Sequence, residues 1–95
     1  MGAWVYILRC RDGKYYVGSY RGTFIDDRVG EHNAGKYHGY TYSRRPVELL
    51  WANEFQSIRE AIAFEQQLKG WSRAKKEAFM ADNTERLREL AKRPV

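Results

Sequence analysis

The sequence predicts an α+β fold: a small three-stranded antiparallel sheet flanked by helices, in the order β-β-α-β-α-α(-α). Three observations carry this. Two runs rich in β-branched and aromatic residues lie near the N-terminus on either side of an Asp-Gly turn. A third such run spans 47–55. The segments between and after them show helix caps and apolar residues at helical spacing. A hairpin plus one returning strand, with helices packed against it, is a small α+β sandwich. Ninety-five residues suffice for one modest core, so residues 1–95 are read as a single domain.

Residues 3–10, Ala-Trp-Val-Tyr-Ile-Leu-Arg-Cys, form the first strand and residues 14–20, Lys-Tyr-Tyr-Val-Gly-Ser-Tyr, the second. Arg11-Asp12-Gly13 lies between them, and Asp-Gly is a strong hairpin signal. Thr23 is placed to cap a helix from Phe24 to about Ala34, with Asp26 in capping-box position and Gly35 as the glycine after the end. Residues 36–46 mix Tyr, Gly and basic residues without a period and read as a loop. Val47–Phe55 suits the third strand. Ser57-Ile58-Arg59-Glu60 is a capping box for a helix to about Lys69, stopped by Gly70. Ser72 can cap a helix through roughly Met80. Asp82, Asn83 and Thr84 offer caps for a last one, with Leu87 and Leu90 on its apolar side.

Composition narrows the class. The chain is 43% hydrophobic, in short pieces, and no apolar run approaches the roughly 20 residues that span a bilayer. The N-terminus lacks the positive region and cleavage site of a signal peptide. The single cysteine, Cys10, excludes an internal disulfide, so a cytoplasmic setting is expected, with Cys10 a small buried hydrophobe. Net charge is +5, and the excess is concentrated in residues 1–45, with 8 Lys/Arg against 4 Asp/Glu. That bias suggests a polyanionic partner such as nucleic acid. All 7 tyrosines lie within the first 42 residues, where phenol groups suit a polar site bordered by a core.

Several polar residues face inward. On the helix from Ser57, Ile58, Ala61, Ile62 and Leu68 share one face with Glu65 in its middle. A carboxylate there is costly unless paired, protonated or metal-bound. On the first helix, Arg28 and His32 share a face with Ile25 and Val29. The hairpin permits two registers. A two-residue Asp12-Gly13 turn pairs Tyr6 with Ser19 and puts Tyr6 and Tyr16 on opposite faces. A bulged three-residue turn with Gly13 left-handed pairs Tyr6 with Gly18 and puts the two tyrosines on one face.

These residues resemble a known family. Trp4-Val5-Tyr6 followed by Tyr16-Val17-Gly18 is similar to the paired motif of the GIY-YIG nucleases. Arg28, His32 and Glu65 follow in that family's order. The resemblance spans about residues 3–80 and is close to small stand-alone bacterial members, with counterparts for His32–Lys36 and Arg44–Leu49. Trp4 stands in place of the first Gly of the motif, the Asn found late in some members has no evident counterpart, and no separate DNA-binding domain is present.

The resemblance implies a metal-dependent endonuclease acting on nucleic acid, DNA before RNA. One Mg²⁺ or Mn²⁺ would be held by Glu65, and Arg28 would clamp the scissile phosphate. Tyr16, Tyr6 or His32 would orient and deprotonate the attacking water. Lys36, Arg44 and Arg45 in the Tyr-rich loop are the expected substrate grip, with Tyr37, Tyr40 and Tyr42 free to stack on bases. Lys75 and Lys76 are secondary candidates. The alternative is a non-catalytic nucleic-acid-binding module on the same fold, which would need neither Glu65 nor Arg28.

Overall fold

A computed structural model describes residues 2–92. Three strands, β1 (Gly2–Arg9), β2 (Tyr15–Gly22) and β3 (Glu48–Phe55), form one antiparallel sheet in the order β2-β1-β3. Four helices complete the chain: α1 (Ile25–Asn33), α2 (Ile58–Lys69), α3 (Arg73–Met80) and α4 (Thr84–Lys92). The α+β architecture and element order are those the sequence predicts. The segment expected as a plain loop contains a short 3-10 turn at Tyr42–Arg44.

The hairpin takes the bulged turn. Cys10 N–H donates to Lys14 O and Gly13 N–H to Cys10 O, with Gly13 at φ +85°. A left-handed residue there favours glycine, since a Cβ clashes with the following carbonyl. The resulting register pairs Tyr6 with Gly18 and Leu8 with Tyr16.

β1 is buried on both faces because it is central. Ala3, Val5 and Ile7 join Val17, Ala61 and Leu68 in one core cluster, beneath α2. Tyr6, Leu8 and Cys10 form a second cluster with Val47, beneath α1. A bulge between Ile7 and Leu8 in the β1–β3 pairing shifts the register by one residue. It lets the neighbours Leu50 and Trp51 both face the first cluster while Leu49 faces the second.

The helices show where local signals held and where packing overrode them. Ser57 caps α2 by accepting from Glu60 N–H, and Ser72 caps α3 by accepting from Lys75 N–H. Asn83 Oδ1 accepts from Arg86 N–H at the start of α4. Thr23 does not cap α1. The N-cap is Phe24, with no side-chain bond, because Thr23 sits one residue too early. Ile62, expected on the inner face of α2, is 45% exposed. Phe64 on the other flank packs instead, among Trp51, Phe55, Trp71 and Phe79. α1 is tied to the residue preceding β3 by Asn33, whose amide donates to Val47 O (3.0 Å) and accepts from Val47 N–H (2.7 Å).

Candidate active site

Tyr6 and Tyr16 lie on one face of the sheet, their ring centroids 6.2 Å apart. Gly18, directly opposite Tyr6, makes this possible. A Cβ there would stand 2.5 Å from Tyr6 Oη and 2.9 Å from Tyr16 Cε2. His32 on α1 closes over both rings, at 5.9 and 5.3 Å between centroids. Its Nε2 is 2.9 Å from Tyr6 Oη and its Nδ1 is 2.8 Å from Thr41 Oγ1. Tyr6, His32 and Thr41 are all buried, so they form a hydrogen-bonded chain shielded from solvent. Burial, with the neighbouring Tyr16 next, pushes the Tyr6 phenol well above its ordinary value. Burial and the Arg28 charge hold His32 below its ordinary 6.5, so it is neutral at pH 7.

Arg28, one turn before His32, is held by aromatic rings. Its guanidinium carbon lies 4.7 Å from the Tyr20 ring centroid and 4.9 Å from that of Tyr37. Glu31 Oε1 is 3.6 Å from Arg28 Nε, too long for a hydrogen bond, and this buried Nε has no other partner. Glu31 is itself engaged by the Tyr37 hydroxyl (2.8 Å) and Lys36 Nζ (3.1 Å), which lower its pKa. The guanidinium is thus fixed in orientation by stacking while its donors are not used up by a carboxylate.

Glu65 is buried in α2, as its position on the wheel indicates. That helix packs on the opposite face of the sheet from α1, so the five residues, whose shared inward facing predicts convergence on one side of the sheet, do not gather on one face. Strand alternation gives the reason: α2 covers the face of Val5 and Ile7, whereas Tyr6 points to α1. The two layers meet at the outer edge of β2. A groove of about 350 Å³ there is lined by Tyr16 and Tyr40 from one layer and by Lys69 and Lys76 from the other. Lys69 Nζ is 3.7 Å from Glu65 Oε1, and Gln66 Nε2 is 3.4 Å from the same oxygen. Glu65 forms no hydrogen bond or ion pair with the other four residues, but its charge is among those acting on the Tyr6 phenol.

The three expected grip residues are turned toward their own chain. Arg44 pairs with Asp12 (3.0 Å), donates to Tyr40 O (2.9 Å) and lies over the Tyr40 ring. Arg45 donates to Tyr42 O (2.7 Å) and faces Asn33 O at the end of α1. Lys36 is exposed but paired with Glu31. Arg44 and Arg45 shape the loop that brings Thr41 and Tyr37 over His32 and Arg28. Sequence reasoning missed the roles of Tyr20, Tyr37 and Thr41. Only Tyr20 carried a signal: it follows Tyr16 and Gly18 at the two-residue period and so shares their face.

The buried Tyr6–His32–Thr41 chain and the aromatic-held guanidinium thus lie on one side of the sheet and the inward carboxylate on the other, and the comparisons give the class of domain that carries them. Residues 2–78 match the family described as "GIY-YIG catalytic domain". The UPF0213 protein of Streptococcus pneumoniae is 43% identical over 84 residues, covering 88% of this chain and 83% of that protein. That of Natronomonas pharaonis is 43% identical over 81 residues, covering 85% of this chain and 93% of that protein. The solution NMR structure of a UPF0213 protein from Bacillus halodurans is similar, with a TM-score of 0.55 at 38% identity, covering 87% of this chain and 86% of that one. A solution NMR structure of an E. faecalis protein gives 0.58 at 32%, covering 86% and 85%. The chain belongs to the GIY-YIG family, among its small UPF0213 proteins. No helix among the described residues is long and apolar enough to cross a membrane.

Proposed function

We propose that the chain is a divalent-metal-dependent endonuclease that hydrolyses phosphodiester bonds in nucleic acid, DNA before RNA. The observation that carries this reading is Arg28, caged by Tyr20 and Tyr37 with a buried Nε that makes no hydrogen bond and only a 3.6 Å ion pair to Glu31, one helical turn from the Tyr6–His32–Thr41 chain. A planar fork whose donors no carboxylate hydrogen-bonds suits a phosphate and gains most as charge builds on it.

Glu65 fits a hard cation. Its carboxylate is nearly buried and has only loose contacts to Lys69 and Gln66. Among the described residues no cluster of three or more His, Cys, Asp or Glu surrounds it. A single carboxylate with water and substrate phosphate completing the shell is a common setting for Mg²⁺. When bound, the ion stabilises the charge that develops on the leaving oxygen.

The chain's own residues supply the rest. Tyr16 orients the attacking water. The water's proton passes to the Tyr16 hydroxyl, which lines the groove, as Tyr16 gives its own to the buried Tyr6 Oη and Tyr6 gives its own to Nε2 of the neutral His32, while Thr41 holds Nδ1 as acceptor of its N–H. The water oxygen bonds to phosphorus and the bond to the sugar oxygen breaks. Tyr6 alone is a poor base, since its phenol sits well above its ordinary pKa, so the coupled transfer to His32 is what makes it competent.

Incubation with branched, nicked, single-stranded and duplex substrates, with Mg²⁺, with Mn²⁺ and with chelator, tests the reading. Cleavage of at least one substrate, abolished by chelator, is expected. Binding with no cleavage under any of these conditions would replace the enzyme by the non-catalytic binding module.

A further inference from the structure

The groove at the edge of β2 continues beyond the catalytic residues. A second cavity of about 190 Å³ is lined by Lys14, Tyr15, Tyr40, Arg73 and Lys76. It shares Tyr15, Tyr40 and Lys76 with the groove beside Tyr16 and Lys69, so the two form one channel. Four cations border it, from the hairpin turn, α2 and α3, and no carboxylate lines either part. Lys69 and Arg73 have acidic neighbours, Glu65 at 3.7 Å and Glu77 at 3.2 Å. Among the described residues Lys14 and Lys76 have no carboxylate within 4.0 Å. By contrast, Arg44 and Arg45 are held by their own chain.

We propose that one strand of the nucleic-acid substrate lies along this channel, its phosphates on Lys14, Lys76 and Lys69, and that the strand enters the site past Tyr16. Cations with no acidic counterpart attract a polyanion and release its counterions on contact. The channel's end at Tyr16 and Lys69, the neighbour of Glu65, sets the direction of travel. This assignment rests on the cleavage reading for the phosphate it delivers, while its test reads binding alone. The residues are not those the basic loop suggested.

The test uses the wild-type protein with chelator, so that no substrate is consumed. Fluorescence anisotropy follows binding to a labelled single strand and to a duplex across a salt series. In the Lys14→Ala/Lys76→Ala background the slope of log affinity against log salt should flatten by about 1.4 on the single strand, or about 1.8 on the duplex. The duplex figure means that about tenfold less affinity is lost between 50 and 200 mM salt. Arg44→Ala/Arg45→Ala should flatten the slope less. Lys14→Glu, at an exposed turn position, serves where Lys76→Ala fails to fold, and should weaken binding at low salt by tenfold or more. An unchanged slope in the lysine variants, a steeper loss in the arginine pair, or no salt-dependent binding by the parent would each overturn the channel. Wild-type cleavage with an unchanged slope rejects the channel and keeps the nuclease. A flattened slope with no cleavage of any substrate rejects the nuclease and keeps the channel.

Discussion

Arg28 and His32 are one turn apart on α1, and each is positioned by residues outside that helix. The Tyr20 and Tyr37 rings hold the Arg28 guanidinium, and cation–π contacts of this kind contribute about 0.5–2 kcal/mol. Arg28→Ala should cut turnover by about 10²–10³-fold while weakening binding modestly, as expected for a group that matters most at the transition state. Tyr37→Leu should lower turnover severalfold with little change in KM, because the fork remains but its orientation loosens; single-turnover kinetics separate the two effects. His32 must be neutral to receive a proton, so the acid limb of the rate profile should fall below pH 6.5. Stability has the same sign. His32 binds a proton less readily folded than unfolded, so its contribution is complete above about pH 6.5 and is lost as pH falls through its lower folded pKa. Urea melts at several pH values check this, and a rate profile whose acid limb lies above 7 would remove His32 from the relay. Thr41 was not legible as a site residue, and Tyr37, expected to stack on bases, lies over Arg28 instead. They reach the site only through the folding of 36–46, which Arg44 and Arg45 pin at a distance in sequence that no local period reports.

At the scale of elements, the sequence read well wherever a local signal met no competition. The capping serines of α2 and α3, the glycine turn and the three strands all stand where their residues place them. Thr23 misled because a capping residue only caps when the chain turns helical directly after it, and the chain enters α1 at Phe24. Ile62 misled because its neighbour Phe64 meets an aromatic layer built by residues from β3, α2 and α3, which a helical wheel does not see. Caps therefore give a direct comparison. Ser57→Ala should cost about 1 kcal/mol of stability, and Thr23→Ala should cost little. Equal losses in urea melts would contradict the assigned start of α1. Gly18→Ala should be worse than either, since the added methyl meets Tyr6 Oη at 2.5 Å and the Tyr16 ring. Overpacking of this kind typically costs about 1–3 kcal/mol, and the displaced tyrosines should carry activity down with it.

Across the whole molecule, the sheet separates two helix layers, and the candidate site draws on both at the free edge of β2. Tyr6, Tyr16, Arg28 and His32 come from the α1 side and Glu65 from the α2 side. That all five are present was legible in the sequence. That Glu65 stands across the sheet from the other four was not, because strand alternation assigns a face only once the packing of α1 and α2 is known. The central claim, that Glu65 holds the ion for phosphodiester cleavage, is tested most directly by Glu65→Gln. Mn²⁺ binding by calorimetry, thermal melting and single-turnover cleavage are measured on both proteins. The expected variant has near wild-type Tm, no longer binds Mn²⁺ and cleaves at least a hundredfold more slowly. Cleavage at the wild-type rate would contradict the metal assignment, and an unfolded variant would make Glu65 a structural partner of Lys69 instead.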